Sequence, residues 1–231
     1  MNFLDPQFLT AVAQIIAIDL LLSGDNAVVI ALACRNLTPE QRRRGIFWGV
    51  TGAVGLRIVL TAFAAVLLGL PWLKLAGGLL LLWIGVKLML PDDDEGAGID
   101  GAASVIGAIK TIIAADFVMS LDNVVGVAGA SHGSIPLLVF GLIVSVPIIV
   151  FASQLIMKAM ERLPLIVVAG AGLLGWVAGG MIASDPVVEP MLAGAGAFDR
   201  FGPSAAGAGL VVVLGWAIAR RRARAAYRRV G

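Results

Sequence analysis

The sequence predicts an all-α polytopic membrane protein: seven transmembrane helices, arranged as two inverted-topology three-helix repeats plus one extra C-terminal helix. Three observations lead there. Hydrophobic residues make up 59% of the 231 positions and charged residues only 14%, with a mean hydropathy of +0.97. An ordinary soluble domain carries about 25% charged residues. The apolar residues also gather into seven runs, each near the roughly 20 residues a spanning helix needs. Finally, the chain repeats itself. Phe47 and Phe140, Pro71 and Pro164, Gly77 and Gly170, and Trp83 and Trp176 each stand 93 positions apart.

The first segment covers about 7–33 and is long for one straight span, which leaves room for a break at Ser23 and Gly24. It lacks the basic n-region and small-residue cleavage site of a signal peptide, so it is expected to be retained. After the basic stretch Arg35 to Arg44 comes the second segment, about 45–69, with Arg57 near its middle. A short turn ending at Pro71 leads to the third, about 72–90. The linker from Pro91 to Asp100 follows, and its run Asp92, Asp93, Asp94 and Glu95 reads as solvated sequence. The fourth and fifth, about 105–129 and 135–157, flank Ser131, His132 and Gly133. The sixth, about 164–183, is joined by a loop from Asp185 to Pro203 to the seventh, about 205–220. A basic tail closes the chain at 221–231. Segments one to three make repeat 1 (7–90) and segments four to six repeat 2 (105–183), within a single transmembrane domain of 1–231. The 29 glycines suit helices whose backbones approach closely.

Basic residues set the orientation. With the N-terminus outside, the cytoplasmic side holds Arg35, Arg42, Arg43, Arg44, Lys87, Lys110, Lys158, Arg162 and six arginines from Arg220 onward, which is fourteen of the 17. Only Lys74 and Arg200 fall on the other side. The positive-inside rule therefore predicts a multi-pass protein of the cytoplasmic (inner) membrane, N-terminus out and C-terminus in. The basic tail reads as a cytoplasmic topology anchor. Because each repeat has an odd number of helices, the second enters the bilayer upside down. Helices one and four then run antiparallel, and sites in such folds lie near the midplane. The expected surroundings are a lipid bilayer, with no nucleic-acid partner.

Against this apolar background one motif stands out twice, in the form D-x-x-x-S-x-D-N. The first copy places Asp19, Ser23, Gly24, Asp25 and Asn26 in segment one, and the second places Asp116, Ser120, Leu121, Asp122 and Asn123 in segment four. A carboxylate within the bilayer costs at least about 2.5–3.5 kcal/mol and marks a functional site by default. Asp19, Asp25, Asn26, Asp116, Asp122 and Asn123 therefore read as the ligands of one cation site, with Ser23, Gly24 and Ser120 in support. Oxygen donors of this kind suit Mg, Ca or Mn rather than Zn or Cu. Acids six apart point 240° away from each other on an unbroken helix, so segment one is expected to unwind at Ser23 and Gly24. Leu121 replaces the glycine in the second copy, which predicts a milder break there. Arg57 needs a carboxylate partner at its depth, and a motif aspartate is the expected one. Two roles stand open for it: a permanent ion pair, or a surrogate cation and gate that withdraws when metal binds. Cys34, the lone cysteine, excludes an internal disulfide. It reads as a small core residue, His132 as a polar loop residue and Met119 as helix packing.

These paired motifs, Asp19 to Asn26 and Asp116 to Asn123, resemble those of the TerC family of integral membrane proteins, specifically its shorter YjbE-like branch. The resemblance spans nearly the whole chain, including the helix count and the duplication. It implies a manganese exporter of the LysE-type transporter superfamily, with the motif acids and asparagines as metal ligands. Efflux rather than uptake is implied by the resemblance alone. No permanent cofactor is expected. Manganese, or another divalent cation, would be the transported substrate, with protons as a candidate counter-ion. The alternative is a LysE-type exporter of an amino acid or other small solute, disfavoured because a zwitterion needs a second charge partner. An enzyme, such as an intramembrane aspartyl protease, fits the doubled Asp-Asn motif poorly. Nothing in the sequence sets an oligomeric state.

Overall fold

Long apolar runs satisfy their backbone groups most simply as helices, and the structure follows that rule. In the computed structural model of the chain, the described residues are 24–63, 70–90, 101–130, 135–192 and 197–230. They form α1 (Gly24–Cys34), α2 (Pro39–Ala62), α3 (Leu73–Met89), α4 (Gly101–Ala130), α5 (Ile135–Arg162), α6 (Leu165–Ala183), the short α7 (Glu189–Leu192) and α8 (Ala197–Val230), with no strand among the described residues. Among the described residues, four stretches are long and apolar enough to cross a membrane: Ser104–Leu121, Val139–Arg162, Leu165–Ala183 and Phe201–Arg222. The other predicted spans fall short for separate reasons. α1 is described only from Gly24, α2 opens on the charged turn that ends at Arg44, and α3 has 17 residues.

The helices group into two compact units, one built from Met1–Leu70 with Gly101–Lys158, the other from Pro71–Asp100 with Ala159–Gly231. In the first unit α1 is buried on nearly every side, with Ala27, Val29, Ile30, Ala31 and Leu32 all in the core, as expected of a helix apolar all round. Helix α2 starts where a proline at the first helical position follows Thr38, and the Gln41 side chain accepts the Thr38 N–H at 3.2 Å. Gly45 packs by Ala108, Gly49 by Ile112 and Gly52 by Ile113, so α2 and α4 run parallel. Asn26 meets Asp116 while Cys34 lies toward Ala108 across Gly45, so α1 and α4 run antiparallel. The expected mild break in the second motif is absent: α4 passes through Ser120, Leu121 and Asp122 as continuous helix. Helix α5 carries Pro147 in its interior, which removes one helical hydrogen bond there.

In the second unit α6 runs against both α3 and α8. Gly175 meets Gly207 and Gly179 meets Pro203, backbone to backbone, and an added Cβ at either glycine would strike main-chain atoms. This is the close approach that small residues four apart permit between membrane helices. Trp72, before α3, has φ 70, the left-handed region that side chains disfavour. The turn is held by Asp185, fully buried, whose carboxylate accepts N–H bonds from Leu75 and Val187 at 3.0 Å each. Phe47, Trp48, Phe151, Trp83 and Trp216 lie exposed. Such an apolar exterior belongs in lipid.

Candidate functional site

Three helices of the first unit bring polar groups together inside an otherwise apolar core. From α1 comes Asn26, in the first turn, with half-buried Asp25 before it accepting the Asn26 N–H at 2.8 Å. From α2 comes Arg57, and from α4 Asp116 and Ser120. All four of Asn26, Arg57, Asp116 and Ser120 are buried. The Asp116 carboxylate is the hub. Its Oδ1 accepts from Arg57 Nη2 at 2.5 Å and from Asn26 Nδ2 at 3.0 Å, and its Oδ2 accepts from Ser120 Oγ at 3.2 Å. Arg57 Nε also donates to Ser120 Oγ at 3.1 Å. Arg57 thus has the motif-aspartate partner that its depth demanded.

Helix periodicity explains why these residues meet. Asp116 and Ser120 are four apart on α4, one above the other on a single face. Parallel packing of α2 on that face carries Arg57 to the same level. The antiparallel α1 presents Asn26 from the opposite direction. The cluster borders a cavity of about 30 Å³ lined by Asn26, Arg57, Asp116 and apolar residues such as Ile30 and Ile112. α5 closes it with Leu142, Ser145, Val146 and Ile149. That volume is about twice what one water requires.

One atom in the lining stands out. Asn26 Oδ1 is buried and has no hydrogen-bond partner among the described residues. The amide cannot be turned round to cure this, because its Nδ2 faces the Asp116 carboxylate, which only accepts. An orphaned buried acceptor costs about 1–3 kcal/mol, and a cation or a donor in the cavity would relieve it. Asn26 is only 6% exposed, so bulk water does not.

Of the predicted site residues, the structure unites Asn26, Asp116, Ser120 and Arg57, with Asp25 adjacent in sequence. Gly24 begins α1. Asp19 and Ser23 lie outside the described residues, as does His132. Asp122 and Asn123 belong to α4, but their side chains are outside the description. Among the described residues no three of Asp, Glu, His and Cys come together. Cys34 and Met119 are buried, in keeping with core roles. Ser145, which sequence reading passed over, is the polar residue that α5 adds to the lining. In the sequence it is one of two serines in a largely apolar helix, the other being Ser153.

Comparison with known proteins gives a consistent result. The family model described as "Integral membrane protein TerC family" matches residues 4–224. The chain is 44% identical to the uncharacterized membrane protein YjbE of Bacillus subtilis over 87% of its own length and 91% of that protein's. It is 25% identical to the UPF0053 inner membrane protein YgdQ of Escherichia coli K12, over 69% of its own length and 74% of that protein's. No solved structure matches the chain.

Proposed function

The chain belongs to the TerC family of integral membrane proteins, and from that premise we propose that it is a secondary transporter that exports a divalent cation, manganese, across the cytoplasmic membrane. The observation that carries this reading is the buried Asn26 Oδ1, without a partner among the described residues, in a cavity it shares with Asp116. A hard oxygen acceptor beside a carboxylate, with no thiolate or imidazole among the described lining residues, suits Mn, Ca or Mg. The remaining motif residues, Asp19, Asp25, Asp122 and Asn123, complete the ligand set in this proposal, with Ser23, Gly24 and Ser120 supporting them.

The antiparallel course of α1 and α4 supports an inverted repeat; seven spans with the N-terminus outside complete the proposed topology, on the strength of the apolar runs and the charge bias. Transport then proceeds by alternating access. The cation enters from the cytoplasm, displaces Arg57 or protons from Asp116, and leaves outward as the protein changes conformation. Arg57 acts as the surrogate cation of the empty state. Export of an amino acid is the weaker reading, because a cavity of about 30 Å³ has no room for a zwitterion and the Arg57 guanidinium is already engaged by Asp116.

Cellular manganese, measured by mass spectrometry after a manganese challenge, tests the proposal. Cells expressing the wild type should hold less manganese than cells without it. Asp25→Asn, Asp116→Asn and Asp122→Asn should each return the content toward that of cells lacking the protein. Equal manganese lowering by these variants and the wild type would sink the site assignment.

A further inference from the structure

Helix α8 does not stop where its apolar span does. The span is Phe201–Arg222, and the helix runs on to Val230. From Arg220 to Gly231 the sequence holds six arginines and no Asp or Glu, so this end carries positive charge with no acid of its own to answer it. Arg220 and Arg224 are exposed, and neither forms a hydrogen bond or ion pair among the described residues. Arg220 instead lies over the ring of Trp216, one turn earlier on the same face, with its guanidinium carbon 3.9 Å from the ring centroid. The indole holds the cation through its ring face and leaves the guanidinium N–H groups without a protein acceptor. Trp216 is 53% exposed, so the pair stands on the surface of the span rather than between helices.

The arrangement recurs at other helix ends. On α3, exposed Lys87 places Nζ 5.2 Å from the ring centroid of exposed Trp83. α3 and α8 run parallel, since Gly85 packs by Val211 and Gly215 by Met89. On α2, in the other unit, Arg44 and Trp48 are both exposed and again four residues apart, but in the reverse order. In the proposed topology α2 starts on the side where α3 and α8 end. All three cations then stand on the cytoplasmic side of their indoles. The other two tryptophans, Trp72 and Trp176, have no Lys or Arg four residues away in either direction. Trp72 precedes α3 at its outer end, and Trp176 lies past the middle of α6. An aromatic belt places tryptophans at both interfaces, and a topology signal needs only charge near a helix end. Neither requires the cation to lie over an exposed indole, nor confines the pairing to one side.

We propose that the end of the α8 span binds the headgroup of an anionic phospholipid in the cytoplasmic leaflet. The headgroup phosphate accepts from Arg220 and Arg224, which share a face one turn apart, and the Trp216 indole packs beside it at the apolar boundary. Forked guanidinium donors suit a phosphate. The uncompensated positive charge favours phosphatidylglycerol over zwitterionic phosphatidylcholine. This surface is separate from the buried cluster around Asp116 and does not depend on which ion the protein carries.

Native mass spectrometry of the purified full-length chain in detergent, titrated with phosphatidylglycerol or phosphatidylcholine of matched acyl chains, tests the proposal. The wild type should bind phosphatidylglycerol about tenfold or more tightly than phosphatidylcholine. Arg220→Gln combined with Arg224→Gln should weaken phosphatidylglycerol binding about fivefold for each arginine removed. Trp216→Ala, with no change of charge, should weaken it about threefold. Lys110→Gln combined with Lys158→Gln removes the same charge from exposed residues that have no tryptophan four positions away, and should bind as wild type. Arg220→Lys, which keeps the charge, should retain most of the preference, and melting temperatures in phosphatidylcholine micelles should match across the set. If the two lysines cost as much as the two arginines, binding follows net charge and the site is overturned. Displacement of the lipid by millimolar inorganic phosphate would overturn the membrane assignment, since the site would then take a free anion.

Discussion

Asp116 accepts from three donors on three different helices, and one of those donors is a guanidinium. Such a buried pair is costly to break from one side, because the survivor is left charged in an apolar core; the loss is about 3–5 kcal/mol. Arg57→Met should therefore lower stability by roughly that amount, read as a drop in detergent melting temperature. Adding Asp116→Asn to it should recover part of the loss. If Arg57 is a surrogate cation, manganese should raise the melting temperature of Arg57→Met more than that of the wild type. Equal metal responses would leave Arg57 as a permanent structural partner. The partner of Arg57 was legible in the sequence, since only a motif acid shared its depth. The place of Ser145 in the cavity lining was not, because a serine in an apolar helix does not show what it borders until α5 is placed beside α1 and α4.

At the scale of elements, apolar runs bounded by Pro39, Pro71 and Pro164 made most helix positions readable in advance. Their ends were set by chemistry that hydropathy does not report, such as the Thr38 and Gln41 start of α2. The bond from the Leu75 N–H to the Asp185 carboxylate lay further from view, because it joins residues 110 positions apart. Burial by itself would raise the Asp185 carboxyl. The N–H groups of Val187, Leu75, Trp72 and Lys74 outweigh it and hold the group below the usual carboxylate range. A depressed folded value means that the stabilisation is complete above the unfolded carboxyl's value, about 3.9, and is lost as pH falls through the folded value. Asp185→Asn should therefore melt lower than wild type at neutral pH, with the gap constant down to about pH 5 and closing below about pH 4. A gap that widened on acidification would reverse the assignment. The continuous α4 is the element for which Leu121 gave only half the answer. It predicted a weaker break than at Gly24, and the helix has none.

For the molecule as a whole, orientation is the testable quantity, and the chain's single native cysteine makes it accessible. In a Cys34→Ala background, Ser131→Cys should react with a membrane-impermeant maleimide added to intact cells. Tyr227→Cys should react only after permeabilisation. The opposite pattern would invert the proposed topology. The basic tail and Arg42 to Arg44 carried this reading, because the charge bias is spread over the whole chain. The division into two compact units was harder to foresee. Each unit takes helices from both halves of the sequence, so contiguity along the chain was a poor guide to contact.

The Arg57–Asp116 pair also has an electrical consequence. Membrane voltage acts on a moving charge at about 2.3 kcal/mol per 100 mV, and it exerts no net pull on a paired cation and anion that move together. The pair itself therefore adds no voltage dependence to the reorientation of the empty site. In the proposed cycle the voltage would instead be felt in the step that carries the ion, where current recordings on reconstituted membranes would find it.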